Sequence, residues 1–556
     1  DGELGEDGRG HGEDDESGRE GGGRAEPGAV AGLAIDIGTT SVSALLVDLL
    51  TGDPLLSGSS ANRQIRYGAD VISRIIESAR PGGMERLQRA IWHETLEPLI
   101  RGVCREAGVG PQSVHRVAFA ANTTMTHLLL GVSAESIRLE PYVPAFFSCD
   151  GLCGADLPGA AGPGGSGGGA RAADMRRLGA PLAEPHRAGA TGVADATDAQ
   201  IADMPSESGG GAGAQAADMR GAGLGGESLH GENSRGISPR DAGSGRVADM
   251  PSGSGGGALF RADAEILIAP SIGSYVGGDI TAGVFASGML MSDAISLFID
   301  LGTNGELVVG NEDFLLACAC SAGPAFEGGD ISCGMRASDG AIESFGADPE
   351  TLEPSYSVIG GMKPAGVCGS GLIDIVAALF RAGAIDARGR LARDHARIRA
   401  DAGGMRRFVV AEPSQTETGA EIAVTESDID NFVRAKAAIF SAIRTLLQIA
   451  GLEAGEIENA YIAGGIGSGI NIASAVAVGM LPNLPEGRYR YVGNTSLMGA
   501  YAMATSRGAA ASVARIGGAM TYIELSSHPA YMDEFIAACF LPHTDASLFA
   551  APAAGA

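Results

Sequence analysis

Two short phrases in this chain place an acidic residue just ahead of a glycine–threonine pair. They are Asp36-Ile37-Gly38-Thr39-Thr40 and Asp300-Leu301-Gly302-Thr303-Asn304. Each is flanked by two apolar, β-rich runs, so each reads as the turn of a β-hairpin. Glycine permits close backbone approach and positive φ, and the threonine hydroxyls and N–H groups that follow can donate to phosphate oxygens. Asp36 and Asp300 end the incoming strands and are placed to hold Mg²⁺ through water. A third phrase, AGGIGSG, puts Gly464, Gly465 and Gly467 where a strand becomes a helix, with bare backbone against which a ribose or purine can pack. One Asp-x-Gly-Thr hairpin alone is most often only a tight turn. Two of them followed by the glycine-rich turn point to a nucleotide site, with structural turns as the alternative.

The elements around these turns occur twice in one order. In the first block, strands flank the turn at 33–48, a third run follows near Leu55, and a helix is predicted over 84–107. A strand at 114–120, a polar turn ANTTMTH, a buried strand at Ile266 and a small-residue helix GGDITAGVFASGM complete it. The second block gives SLFIDL, GELVVG and FLLACAC as strands. A long amphipathic helix then runs from about Ser427 to Ala450, capped by Ser427 or Thr425, and the strand NAYIA ends the pattern. Strand–strand–strand–helix–strand–helix repeated in this way is an α/β architecture with an internal duplication around a cleft.

Composition divides the 556 residues unevenly. Residues 1–31 are acidic and glycine-rich and read as a disordered tail or linker. Residues 32–150 form the first domain. Residues 151–262 hold Gly/Ala/Ser repeats, including ADMPSESGGGA and ADMPSGSGGGA, and read as a low-complexity insertion in a surface loop. The second domain spans 263–540, and 541–556 is read as a flexible tail. With 67 acidic and 39 basic residues the net charge is −28, which disfavours nucleic acid and anionic membrane as partners and favours a basic protein patch. No uninterrupted run of about 18 apolar residues argues for a membrane span. Eight cysteines are too sparse for a disulfide scaffold, so a reducing cytoplasm is expected. The start, DGELGEDGRG, resembles no secretory signal; without an initiator Met the chain reads as a processed form or a fragment.

The two hairpins and AGGIG resemble the phosphate-1, phosphate-2 and adenosine elements of the superfamily that contains acetate and sugar kinases, heat-shock chaperones and actin. More narrowly, AIDIGTTSV, YGADVISRI, AANTTMTHLLLG, PYVPAF, IDLGTNGEL, SAGPAFEGGDISCGMRA, VCGSGLID and AGGIGSGINI make the sequence similar to the reductive activators of corrinoid-dependent methyltransferases and corrinoid iron–sulfur proteins. The resemblance covers nearly all the patterned chain. It implies duplicated RNase H-like, actin-like halves around a nucleotide cleft. It also implies ATP with Mg²⁺, and ATP hydrolysis coupled to reduction of Co(II) corrinoid to Co(I). Partners implied are a corrinoid protein or corrinoid methyltransferase and an external electron donor, with homodimerisation left open. It assigns Asp36, Gly38, Thr39 and Thr40 to the first phosphate loop. Asp300, Gly302, Thr303 and Asn304 belong to the second, and Gly464, Gly465 and Gly467 to the adenosine element. Lys436 either flanks the purine or is a solvated helix lysine, the latter preferred. For the general base that orients water on the γ-phosphate, Asp279 and Glu306 are the candidates; each has a bland alternative as helix N-cap or solvated strand residue.

Members of that family usually carry an N-terminal [2Fe–2S] domain with closely spaced cysteine ligands. No such motif occurs here: Cys104, Cys149, Cys153, Cys318, Cys320, Cys333 and Cys368 read as scattered structural thiols. The expectation is that the electron-entry domain was lost or precedes Asp1. His93-Glu94 lacks a second His at helical spacing and is no zinc motif. His127 reads as a turn or core histidine and Trp92 as packing. KPAGVCGSGLID reads as a glycine-supported interface loop or a helix start. Competing functions are a small-molecule kinase of the same superfamily, a non-enzymatic nucleotide-gated binding module, and an electron activator for acyl-CoA dehydration.

Overall fold

A computed structural model describes residues 30–157, 258–302, 304–465 and 469–549. The tail over 1–29, most of the predicted insertion, Thr303, Gly467 and residues 550–556 lie outside the described residues.

The first sheet is built from β1 (Ala31–Ile37), β2 (Ser41–Asp48), β3 (Pro54–Ala61), β4 (Val114–Ala121), β5 (Leu152–Cys153) and β6 (Glu265–Ile268). Its order is β3-β2-β1-β4-β6-β5. The hairpin strands β1 and β2 are antiparallel, whereas β4 lies parallel to β1 and β6 parallel to β4. The second sheet contains β7 (Ser296–Leu301), β8 (Gly305–Gly310) and β9 (Leu315–Cys320). Before it closes, the chain inserts two three-stranded sheets: β10 (Ala341–Ala347), β11 (Pro354–Val358) and β12 (Gly366–Val367), then β13 (Ile398–Ala400), β14 (Arg406–Ala411) and β15 (Ile422–Thr425). The strands β16 (Asn459–Ala463), β17 (Tyr489–Gly493) and β18 (Met520–Tyr522) then complete the order β17-β16-β7-β8-β9-β18. Again the hairpin is antiparallel and the later strands β16 and β17 run parallel. Read outward from the hairpin, β3-β2-β1-β4-β6 and β9-β8-β7-β16-β17 are the same topology, so the fold is a duplicated RNase H-like one.

Helices α1 (Val71–Ser78) and α2 (Gly83–Ile91) pack on each other, α3 (Glu97–Glu106) lies on β2 and β3, α4 (Thr123–Leu130) packs on α1 and α2, and α5 (Gly278–Ser287) follows β6. The helix predicted over 84–107 is α2 and α3 joined through a π-turn at Trp92–Leu96, with the Trp92 indole donating to Leu129 O at 2.9 Å. ANTTMTH, expected as a turn, is instead the start of α4. Asn122 accepts from Thr124 N at 3.0 Å, and all eight helical residues are buried. The Thr123 and Thr126 hydroxyls donate to Gly273 O and Asn122 O at 2.7 and 3.2 Å, whereas the buried Thr124 hydroxyl has no partner. His127 is fully buried: Nδ1 lies 2.8 Å from Thr123 O, Nε2 accepts from Ala145 N at 3.2 Å, and the ring stacks on Phe146.

In the second half α6 (Gly369–Arg381) and the 25-residue α7 (Glu426–Ala450) bury their apolar faces in the largest core, with Phe432, Ile439, Ile443 and Leu446 inaccessible. Thr425 is the N-cap, in a capping box with Asp428. The short α8 (Ile472–Ala477) follows, then α9 (Thr495–Thr505), α10 (Arg507–Ala519) and α11 (Tyr531–Ala538).

The domain division needs correction in two places. The predicted insertion does not separate two domains, because β6, beyond it, pairs with β4 and completes the first sheet. The predicted flexible tail is packed at least to Phe549. Leu541 N donates to Ala387 O at 2.8 Å, and Phe549 lies against Phe440. The halves also exchange helices. α5, which leaves the first sheet, places Ile280 and Val284 in a core with Phe298 and Val308 of the second. α9, which leaves the second sheet, places Ala500 and Ala504 against Ala34, Ala118 and Ala120 of the first. The two helices meet backbone to backbone: a Cβ on Gly499 would lie 2.3 Å from Ala282 O. Among the described residues no helix is long and apolar enough to cross a membrane.

Candidate functional site

The duplication brings the two Asp-x-Gly-Thr hairpins to one cleft. In the first, β1 must reverse into β2 within three residues. Gly38 N donates to Ser41 O at 2.9 Å, and a Cβ on Gly38 would lie only 2.8 Å from that same oxygen. The turn is braced from behind by Asn62, which donates to Gly38 O at 2.9 Å, and by the buried Arg74 guanidinium on Thr39 O. Gly302 N donates to Asn304 O at 3.0 Å in the second hairpin. Thr40 Oγ1 donates to Glu327 Oε2 at 3.0 Å, reaching from the first sheet to a turn of the second half.

Asp36, Asp300, Asp279 and Glu306 form one electrostatic group. Asp300 and Glu306 are directly opposed in the β7–β8 ladder, which puts both side chains on one face of the sheet. Asp279 is the second residue of α5, whose start is forced against α4: a Cβ on Gly277 would lie 2.4 Å from Thr123 N. Burial, then the charges of Asp300 and Asp36, push the Asp279 carboxyl up to about 8. Burial and Asp36 push Asp300 up to about 7. Glu306 is held well above the usual range by burial and by Asp279 and Asp300, partly offset by a hydrogen bond from Asn304. Asp36 is also raised by burial, against two hydrogen bonds that favour its ionised form, from Asn494 and Ser496. Such a group of carboxyls is relieved by a cation. Carboxyl oxygens are the donors a hydrated Mg²⁺ takes; among the described residues no three His, Cys, Asp or Glu side chains form a direct ligand set.

The glycine-rich turn closes on the second hairpin. Gly464 has φ +87°, and a Cβ there would lie 2.5 Å from both Asp300 Oδ1 and Leu301 O. Gly465 is exposed beside it. On the far side of the turn, Gly469 lies against Ser370 at the start of α6. A Cβ on the neighbouring Gly369 would lie 2.1 Å from Phe326 O, one residue before Glu327. Hairpin, Glu327 turn, α6 start and glycine-rich turn thus touch in sequence around the cleft. VCGSGLID therefore contains a helix start that packs on the site.

Lys436 belongs to neither of its two expected settings. It is fully buried in α7, and Nζ donates to Phe540 O and Pro542 O at 2.5 and 2.7 Å, tying down the C-terminal segment. Burial lowers its ammonium to about 7. All eight cysteines are free thiols, and Cys318 and Cys320 are buried along β9. Asn494, Ser496 and Glu327 were not singled out from the sequence. Asn-Thr-Ser immediately after a strand is an N-cap signal that could have marked the first two. Glu327 lay inside the phrase SAGPAFEGGD with nothing local to set it apart.

Fold and cleft together define a two-lobed ATPase-type protein of the ASKHA class. Residues 294–552 match the model of the C-terminal domain of RACo, the ASKHA domain, and residues 31–162 match that of the RACo middle region. A solved structure of a reductive activator for corrinoid, iron–sulfur protein is 37% identical, with a TM-score of 0.69 over 95% of this chain and 68% of that one. The chain belongs to this family of corrinoid reductive activators. It is 28% identical over 516 residues to the corrinoid activation enzyme RamQ of Eubacterium limosum, covering 91% of this chain and 70% of the relative. It is 27% identical over 258 residues to the [Co(II) methylated amine-specific corrinoid protein] reductase of Methanosarcina barkeri, covering 43% of this chain and 44% of the relative.

Proposed function

We propose that this chain hydrolyses ATP to drive the return of an oxidised Co(II) corrinoid protein to Co(I), with the electron coming from an external donor. The observation that carries the reading is the meeting of Asp36 and Asp300, from equivalent hairpins of two duplicated halves, in one carboxyl group that calls for a cation. The fold supports nucleotide and Mg²⁺ binding, and the family relationship supports the corrinoid partner. The backbone N–H groups and hydroxyls of Thr39 and Thr40 bind the phosphates from one side, those of the Gly302–Asn304 turn from the other. Thr303 and Gly467 complete the two loops in this reading. Gly464 lets the turn close on the second hairpin, and Gly465, with open space beside it, leaves room for the nucleoside. Asp36 and Asp300 hold the hydrated Mg²⁺, which supplies neutralisation of phosphate charge when bound. Asp279 orients the attacking water and accepts its proton. Its raised carboxyl suits proton transfer near neutral pH, and it stands half-buried at a helix start, whereas Glu306 is 8% exposed and held by Asn304.

Closure on ATP makes the two-lobed body bind its partner differently from the ADP state, and that difference is the coupling. A [2Fe–2S] centre, expected in full-length members of the family, would be supplied outside the described residues. The free thiols and acidic charge fit a reducing cytoplasm and a partner with a basic face. The test adds the chain, a low-potential donor and Mg-ATP to a Co(II) corrinoid protein and follows the cobalamin spectrum. Formation of the Co(I) spectrum is expected. Asp279→Asn should keep ATP binding and lower kcat by about 10²–10⁴. No spectral change with wild-type protein would reject the reading.

A further inference from the structure

The duplication that equates the two hairpins also equates the helices that follow each sheet. α5 starts after β6 and α9 starts after β17, and each sends its second residue toward the carboxyl cluster. In α5 that residue is Asp279. In α9 it is Ser496, whose hydroxyl donates to Asp36 Oδ1 at 2.8 Å. Two residues earlier, Asn494 donates from Nδ2 to Asp36 Oδ2 at 2.8 Å. Both oxygens of the carboxylate are therefore held from one helix start. That start belongs to the second half in sequence, while Asp36 belongs to the first. The equivalent positions have diverged in chemistry. One side of the cleft sets a carboxyl against Asp300, and the other sets a hydroxyl and an amide against Asp36.

We propose that Asn494 and Ser496 are a positioning pair that fixes the Asp36 carboxylate, across the junction of the two halves, in the orientation that anchors the hydrated magnesium of a bound nucleoside triphosphate. The inference rests on the nucleotide reading above. Asn494 serves two purposes at once. Its Oδ1 accepts from Leu497 N at 2.8 Å as the N-cap, and its amide group remains to donate to Asp36. A helix cap alone requires only the oxygen, which Ser, Thr or Asp also offers. The amide donor is the part that the cap does not explain. Ser496 is buried and is not the capping residue, so its hydroxyl has no role in starting the helix. Burial disfavours the charge of Asp36, and the two donors from the α9 start are the side-chain hydrogen bonds that favour its ionised form.

Asn494→Ser keeps a capping oxygen and removes the amide donor. Ser496→Ala removes the hydroxyl at a position where Ala is the better helix former. Binding of ATP is measured by calorimetry with Mg²⁺ and with EDTA, alongside the melting temperature. Each variant should bind Mg-ATP about 10-fold more weakly than wild type, in line with a lost hydrogen bond to a charged group. ATP binding in EDTA and the melting temperature should stay at wild-type values. Wild-type affinity for Mg-ATP in both variants overturns the proposal. So does an equal loss with and without Mg²⁺, or a loss that tracks a lowered melting temperature, since either makes the pair merely structural. If wild-type protein itself shows no Mg²⁺-dependent ATP binding, the nucleotide reading falls and this inference with it.

Discussion

At the scale of single residues, buried polar groups separate structural from chemical roles by how completely they are satisfied. His127 has a partner on each ring nitrogen and no access to the cleft, as the core reading of TTMTHLLL expected. Its pKa is lowered to about 4, chiefly by burial. The unfolded chain binds a proton there below about 6.5 and the folded chain does not, so stability is complete above that value and declines as pH falls from about 6.5 to about 4. The loss amounts to at most roughly 3 kcal/mol. Denaturant titrations across that range should show this slope, and His127→Gln should flatten it. Lys436 shows why a charge could not be placed from sequence. On a 25-residue helix a lysine among alanines resembles a solvated position. Only the return of the chain at Phe540 and Pro542 supplies the carbonyl groups that let it be buried. The hairpin residues were legible because a tight turn imposes local sequence rules, whereas Glu327, Asn494 and Ser496 enter the site through contacts hundreds of residues away.

At the scale of elements, one capping box does more than start a helix. Asp428 Oδ2 accepts from Thr425 N at 2.8 Å, while its Oδ1 accepts from Ser332 N and Oγ at 2.7 and 3.0 Å. The start of α7 therefore holds the loop that follows the Glu327 turn. Thr425→Ala should cost about 1 kcal/mol, as cap losses do. Asp428→Ala should cost about 2–4 kcal/mol, because it also leaves the Ser332 groups without their acceptor. Thermal or denaturant unfolding of both variants checks the order. The strand and helix order of each half was readable from apolar periodicity. α4 was misread because its Thr-rich start looks like a polar turn. It is a helix because Asn122 caps it and carbonyls accept the Thr123 and Thr126 hydroxyls. The π-turn at Trp92–Leu96 left no trace in a pattern that fits a straight helix equally well.

At the scale of the whole molecule, the duplication was legible but its boundaries were not, because compositional breaks do not mark the edges of a sheet: β6, beyond one such break, pairs with β4. The ends of the 158–257 segment are brought together by β5 and β6. Gly154 N donates to Ala264 O at 2.9 Å and Ala155 N to Ala262 O at 2.8 Å. Chain closure between such neighbouring ends depends weakly on loop length. Replacing 158–257 by a short Gly/Ser linker should shift the melting temperature by no more than a few degrees and leave ATP turnover intact, as calorimetry and a phosphate-release assay would show.

The exchange of α5 and α9 has a consequence for how such a chain could have arisen and how it comes apart. Each half borrows part of its covering from the other, so neither is a self-sufficient folding unit. A fragment ending before α9 would present Ala34, Ala118 and Ala120 as a bare strip of small residues. The ancestral single copy, before duplication, would have had to meet a second copy of itself to bury that same strip. Today's covalent pair is in this sense a dimer whose subunits can no longer dissociate.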